Sequence, residues 1–172
     1  MANANPHLTL VLGGARSGKS RYAESLVMEF PPPWLYVATA EPLDGEMTAR
    51  IAAHRARRGA EWRAVEAPRD LAGALADSSA GGAVLVDCLT LWLSNLMLAD
   101  ADIAAESARL EAVLARLAAP LVLVSNEVGF GIVPDNALAR RFRDAQGQLN
   151  QRMAARADRV VLMVAGLPLV VK

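Results

Sequence analysis

Six short apolar runs punctuate the chain, and between them the apolar positions change to a helical spacing. The runs are residues 8–12 (LTLVL), 34–40 (WLYVATA), 83–87 (AVLVD), 120–125 (PLVLVS), 159–164 (RVVLMV) and 167–171 (LPLVV). Each is short, rich in Val and Leu and bounded by Gly, Pro or polar residues, so each predicts a buried strand. Residues 62–66 add a short extended piece. Helical spacing is predicted over 21–28, over 89–98 with apolar residues nearly all round, and over 106–117. Another helix starts at Asp44 or Gly45, runs through Glu46, Met47, Arg50, Ile51, His54 and Arg55, and ends near Gly59. Pro68-Arg69-Asp70 opens a further helix, and Asp135 is placed to cap a long one with the stripe Leu138, Phe142, Ala145, Leu149 and Met153. Pro31-Pro32-Pro33, Gly81-Gly82 and Gly166 supply the breaks.

Strands that are continuously apolar, rather than alternating, belong to a mostly parallel sheet covered on both faces. The expected fold is therefore α/β in three layers, as one domain over residues 1–172, with the last strand antiparallel to the fifth at the C-terminal edge. Ligands in such sheets sit beyond the carboxyl ends of the strands. The polar residues that fall there are a glycine loop after the first strand, Thr39, Asp87 and Ser125-Asn126-Glu127.

That glycine loop is the strongest chemical signal. Gly13-Gly14-Ala15-Arg16-Ser17-Gly18-Lys19-Ser20 fits G-x-x-x-x-G-K-S/T at every fixed position, between a strand and a helix. Glycines let successive N–H groups curl around an anion, and the following helix adds its positive dipole end. Lys19 is placed to reach the β- and γ-phosphates of a nucleoside triphosphate, and the Ser20 hydroxyl to ligate Mg²⁺.

Composition narrows the classes without naming one. Of 172 residues, 18 are Lys or Arg and 18 Asp or Glu, so no global charge recruits nucleic acid or a membrane surface. The single cysteine, Cys88, excludes an internal disulfide and a cysteine-based zinc site. Residues 1–6 lack a signal-peptide pattern, and the longest uncharged run, 88–99, is too short for a membrane span of about 20 residues. A cytoplasmic protein with no membrane span and no nucleic-acid partner is expected.

Three further groups could carry chemistry. Asp87 ends an apolar strand, the position of an aspartate that binds the Mg²⁺ shell opposite Ser20, and with the glycine loop present this reading is preferred to a simple cap for the helix that follows. Asn126 and Glu127 precede Gly129-Phe130-Gly131 and could orient a water, a substrate hydroxyl or the magnesium, or simply make the turn. His54 shares a helix face with Met47 and Ile51, which suits a hydrogen-bonded core residue. Its neighbours Arg50, Arg55, Arg57 and Arg58 point instead to polyphosphate binding by forked contacts. They would also favour a neutral imidazole nitrogen, free for nucleophilic attack. Against this, the arginines could form a solvated face, with Glu46 and Arg50 paired at i, i+4. His7 precedes the first strand and is read as incidental.

A signalling GTPase would carry D-x-x-G and N-K-x-D, but Asp87 begins D-C-L-T and Asn126 begins N-E-V-G. A motor or helicase would be larger, with a basic surface. A small-molecule kinase fits the size best, and a regulatory nucleotide-binding module stays open.

The motifs together resemble one family. The loop at 13–20 is followed by Tyr36-Val37-Ala38-Thr39-Ala40, then Asp44-x-Glu46-Met47-x-x-Arg50-Ile51-x-x-His54, Trp62, Glu66 and Asp87-Cys88-Leu89-Thr90. Ser125-Asn126-Glu127-Val128-Gly129-x-Gly131-Ile132-Val133-Pro134 comes next. Arg141-Phe142-Arg143-Asp144, Leu149-Asn150-Gln151 and Ala157-Asp158 close the series. Over essentially the whole chain this is similar to the bifunctional adenosylcobinamide kinase / adenosylcobinamide-phosphate guanylyltransferases of cobalamin biosynthesis. The resemblance implies a RecA-like P-loop core and a homotrimer. It also implies two reactions: phosphorylation of adenosylcobinamide by a nucleoside triphosphate, then transfer of GMP from GTP through a histidine–GMP intermediate to give adenosylcobinamide-GDP. ATP and GTP are the implied nucleotide substrates, with Mg²⁺. The family's guanylylated histidine falls on His54, and Lys19 and Asp87 are the other implied catalytic positions. Nucleotide contacts fall on Gly13, Gly14, Ala15, Arg16, Ser17, Gly18, Lys19 and Ser20, on Ala38, Thr39 and Ala40, on Arg55, Ala56, Arg57 and Arg58, and on Glu66 and Asp87. Metal contacts fall on Ser20 and Asp87. A kinase lacking the second activity is the alternative. The apolar helix at 89–98 carries more apolar surface than one sheet face usually covers, which makes it a candidate subunit contact.

Overall fold

In a computed structural model, which describes residues 7–41, 45–56, 58–77 and 82–172, one seven-stranded sheet runs through the molecule in the order β3-β2-β4-β5-β1-β6-β7. The strands are β1 (Leu8–Gly13), β2 (Trp34–Ala38), β3 (Trp62–Glu66), β4 (Val84–Asp87), β5 (Leu121–Asn126), β6 (Arg159–Val164) and β7 (Leu167–Val170). The helices are α1 (Lys19–Val27), α2 (Gly45–Ala56), α3 (Leu71–Ala76), α4 (Leu89–Leu98), α5 (Ile103–Leu114) and α6 (Ala137–Arg156). All pairings are parallel except β6 with β7 at the edge. The extended piece at 62–66 is a full strand, so the sheet has seven strands where the apolar runs alone gave six.

Alternation along each strand divides the core in two. Leu8 and Leu10, Val37, Val84 and Val86, and Leu121 and Leu123 face a layer containing Leu71 and Leu75 of α3, Trp92 and Leu93 of α4, Leu110 of α5 and Leu149 of α6. Val11, Tyr36, Leu85, Val122 and Val124 face the other side, against Ala23, Leu26 and Val27 of α1. A period of 2 and helices on both faces are what a buried parallel sheet requires.

The all-round apolarity of α4 has its explanation here. Leu89, Trp92, Leu93 and Leu96 are buried within the chain, since α4 packs against β5, α5 and α6 together. Only Leu98 is strongly exposed, at 67%. Leu93→Ala is expected to cost about 2–5 kcal/mol, read from a denaturant midpoint, because the surrounding layers cannot collapse into the space.

Helix ends depart from expectation in instructive ways. The cap of α6 is Asn136, whose Oδ1 accepts from the Ala139 N–H at 2.7 Å, and not Asp135. In α5, the Asp102 carboxylate caps the Ala105 N–H, which starts the helix earlier and ends it earlier than 106–117. Leu138 is 58% exposed and lies outside the stripe of α6; the polar Gln146 and Asn150 are buried in its place.

Candidate functional site

The carboxyl ends of five neighbouring strands converge on one opening. Register sets this: Gly13 lies opposite Asn126, Ala38 opposite both Asp87 and Glu66, and Asp87 opposite Val124. A cavity of about 280 Å³ opens there, lined by Lys19, Ser20, Tyr36, Ala38, Ala40, Arg55, Arg58, Ala64, Glu66, Asp87, Cys88, Leu91 and Asn126. Because alternate residues share a face, Tyr36 and Ala38, Ala64 and Glu66, and Asp87 all sit on the α1 side of the sheet. Small residues at 38, 40 and 64 leave the room that the polar side chains surround.

The glycine loop joins β1 to α1 at one end of this cavity. A Cβ on Gly13 would meet Ser17 Oγ at 2.5 Å and the Met163 carbonyl at 3.0 Å, so only glycine allows that approach. Gly18 precedes α1 at φ 91°, a left-handed conformation that glycine adopts without steric cost. Two backbone bonds brace the loop, Glu127 N–H to the Gly13 carbonyl at 3.1 Å and Gly166 N–H to the Ser17 carbonyl at 3.1 Å. Lys19 is nearly buried, and its ammonium donates to the Gly14 carbonyl at 2.8 Å, spanning the loop's concave side.

Asp87 is not the cap of α4. That position is Cys88, which makes no side-chain capping bond. The Asp87 carboxylate lines the cavity and accepts from the Tyr36 hydroxyl at 3.1 Å. Burial first, and then the Asp87 charge, raise the Tyr36 phenol well above its ordinary pKa, so it remains a donor. The same two causes push the Cys88 thiol up to about 11, which makes it a poor nucleophile at neutral pH. Asp87 and the Ser20 hydroxyl line one cavity, a donor set that suits Mg²⁺, which usually takes one or two protein oxygens plus water and phosphate.

Asn126 and Glu127 separate. Asn126 lines the cavity, its N–H donating to Thr90 Oγ1 at 2.8 Å and its carbonyl accepting from Asn150 Nδ2 at 3.0 Å. Behind it, Ser125 Oγ donates to Asn150 Oδ1 at 2.7 Å, and Gln146 Nε2 reaches both. This buried polar network ties the end of β5 to α6 and explains polar residues inside that helix. Glu127 Oε1 accepts from the Gly129 N–H at 2.6 Å, which is the turn role.

Of the positions singled out in the sequence, Lys19, Ser20, Ala38, Ala40, Arg55, Arg58, Glu66 and Asp87 line the cavity together. Arg55 forms an ion pair with Glu66, linking the end of α2 to the end of β3. Thr39 does not line it. Fully buried, its hydroxyl donates to the Cys88 carbonyl at 2.7 Å and accepts from the Cys88 N–H at 2.8 Å. Asn95 Nδ2 donates to the Thr39 carbonyl at 2.8 Å, so Thr39 locks β2 and β4 together beneath the site. Ala56 is exposed on the last turn of α2 and is not among the lining residues. His54 lies on α2 just before Arg55, where the backbone alone is described; Asp44 and Arg57 fall outside the described residues. Tyr36, Ala64, Cys88 and Leu91 line the site without having been singled out for it. Tyr36 and Ala64 were legible in one respect, lying two residues before Ala38 and Glu66 and therefore on the same face.

Over residues 9–171 the chain matches the family model CobU, described as cobinamide kinase / cobinamide phosphate guanyltransferase. It is 51% identical over 166 residues to the bifunctional adenosylcobalamin biosynthesis protein CobP of Pseudomonas aeruginosa, covering 95% of this chain and 96% of that one. It is also 44% identical to the protein CobU of Salmonella typhimurium and 43% to that of Escherichia coli, each match covering 96% of this chain and 99% of the relative. Among solved structures the fold is similar to an ATPase from the type III secretion system of pathogenic bacteria. That match has a TM-score of 0.56 at 9% identity and covers 92% of this chain. This chain spans 51% of that ATPase, and the likeness is one of P-loop fold.

Proposed function

The chain belongs to the cobinamide kinase / cobinamide phosphate guanyltransferase family, with both roles in cobalamin biosynthesis, and from that premise we propose how its residues divide the work. The observation that carries the proposal is the convergence of Lys19, Ser20, Asp87, Arg55, Arg58 and Glu66 on one cavity at the carboxyl end of the sheet.

In the first reaction the glycine loop and Lys19 hold the triphosphate of ATP or GTP. The side-chain hydroxyl of adenosylcobinamide attacks the γ-phosphorus, the bond to the β–γ bridging oxygen breaks, and the nucleoside diphosphate leaves. Lys19 stabilises charge on the transferring group. Ser20 and Asp87 would hold Mg²⁺, which when bound neutralises charge on the β- and γ-oxygens.

The second reaction uses His54. Its imidazole nitrogen attacks the α-phosphorus of GTP, pyrophosphate leaves, and a histidine–GMP adduct remains. A phosphate oxygen of adenosylcobinamide phosphate then attacks the same phosphorus, the N–P bond breaks, and adenosylcobinamide-GDP forms. Splitting the transfer means that the acceptor phosphate never approaches an intact triphosphate. Arg55 and Arg58 offset the charge on departing pyrophosphate. Incubating the protein with α-labelled and γ-labelled GTP in parallel tests this reading: the α label is expected on the protein, and the γ label on the acceptor or in pyrophosphate.

The chain acts as a single catalytic domain in the cytoplasm, where nucleoside triphosphates are supplied, and as a homotrimer. The family likeness and exposed apolar residues, among them Phe130 at 85%, Ile132 at 97% and Leu98 of α4 at 67%, support the assembly. Sedimentation at micromolar concentration is expected to give the trimer mass; a monomer contradicts it.

A further inference from the structure

We propose that Tyr36 is the positioning residue of the nucleotide site, its hydroxyl fixing Asp87 and the face of its ring fixing Arg58. The inference rests on the functional reading above and adds a residue to which neither reaction assigns a role.

Three contacts carry it. The Tyr36 hydroxyl donates to Asp87 Oδ2 at 3.1 Å, and the Arg58 guanidinium carbon lies 3.3 Å from the centroid of the same ring. Trp62 packs edge-on against that ring at 6.3 Å, and Trp34 against Trp62 at 5.2 Å, so the ring is held in place by two more. Tyr36 is only 5% exposed, between Ala64 on β3 and Leu85 on β4. Tyr36, Asp87 and Arg58 all line the cavity.

The ring therefore stands between the two charges that a metal–triphosphate complex needs on one wall. An arginine carries large rotamer freedom, and a guanidinium stacked on an aromatic face has already lost much of it. Ordering done before binding is not subtracted from affinity afterwards. Arg58 Nη1 is buried and, among the described residues, has no hydrogen-bond partner. A buried donor left in that state is costly unless a ligand completes it, and a phosphate oxygen does so with a charge-assisted bond. The hydroxyl acts separately on Asp87, restricting the carboxylate's rotation so that its orientation toward Mg²⁺ is set.

Two substitutions separate the arms. Tyr36→Phe removes the hydroxyl and keeps the ring; Tyr36→Leu removes both. Binding of a fluorescent GTP analogue to the full chain is titrated with Mg²⁺ and, separately, with EDTA. For Tyr36→Phe, affinity in EDTA is expected to stay within about twofold of wild type, while the Mg²⁺ concentration for half-maximal enhancement rises about tenfold. For Tyr36→Leu, affinity in EDTA is also expected to fall, by about three- to fivefold. A general packing defect would move both conditions together in Tyr36→Phe. Arg58→Lys, which keeps the charge and loses the stacked plane, provides the ring arm's readout should Tyr36→Leu fail to fold, and is expected to show the same loss in EDTA. An unchanged Mg²⁺ dependence in Tyr36→Phe overturns the hydroxyl's role, and unchanged affinity in EDTA for Tyr36→Leu or Arg58→Lys overturns the ring's. A wild-type protein that binds no GTP sinks the functional reading itself, whereas normal wild-type binding with indifferent variants sinks only this inference.

Discussion

Lys19→Ala is expected to lower both phosphoryl and guanylyl transfer by about 100- to 1,000-fold while leaving the fold intact. The side chain is 9% exposed, and its ammonium already crosses the glycine loop to the Gly14 carbonyl at 2.8 Å. Arg55 and Arg58 line the same cavity but approach from α2 and the connection between α2 and β3, and β3 is four strands away from β1 in the sheet. Neither can place a charge where the loop curls around a phosphate. Backbone N–H groups remain after the substitution, so weakened binding persists at high nucleotide concentration and the loss falls more heavily on turnover. Lys19→Met retains the buried alkyl stem and should behave the same, which separates lost charge from lost packing. Turnover and nucleotide titration, with a thermal melt as control, check it. Phosphorylation near the wild-type rate would remove the glycine loop from the mechanism.

How much of this was legible in the sequence depends on whether a residue's role is local. The glycine loop was readable because anion binding needs its residues consecutively, between a strand and a helix. The parallel sheet was readable because its strands are apolar on both faces, and the β6–β7 edge because Gly166 leaves room only for a tight turn. Tyr36 and Ala64 reach the site through the register between β2 and β3, and Leu91 through the placing of α4 directly after β4; no spacing within one segment states either. Thr39 shows the converse. It lies between two lining alanines but points to the opposite face, where it clamps Cys88. Helix α4 was read as a subunit contact because its apolar surface exceeded one sheet face. Three neighbouring elements cover most of that surface and leave Leu98 exposed, and the number of layers over a helix is a tertiary fact. The cap of α6 went to Asn136 over Asp135 because neighbouring residues of equal propensity are separated only by backbone geometry.

Position 54 carries the second large effect. His54→Asn is expected to abolish guanylyl transfer, because asparagine retains similar polarity but offers no basic ring nitrogen to attack the α-phosphorus. Phosphorylation of adenosylcobinamide depends on Lys19, Ser20 and Asp87 and is expected to persist, reduced a few-fold by the proximity of His54 to Arg55 on α2. Loss of both activities with unchanged folding would mean that His54 positions nucleotide in a shared pocket and forms no covalent bond.

The most direct measurement of the two-reaction account is therefore the label retained by wild-type and His54→Asn protein after incubation with α-labelled GTP. The account predicts an adduct on the wild type, labile in acid and stable in base as for phosphate on an imidazole nitrogen, and none on the variant. An adduct of the same stability on His54→Asn would place the nucleophile at another residue and contradict it.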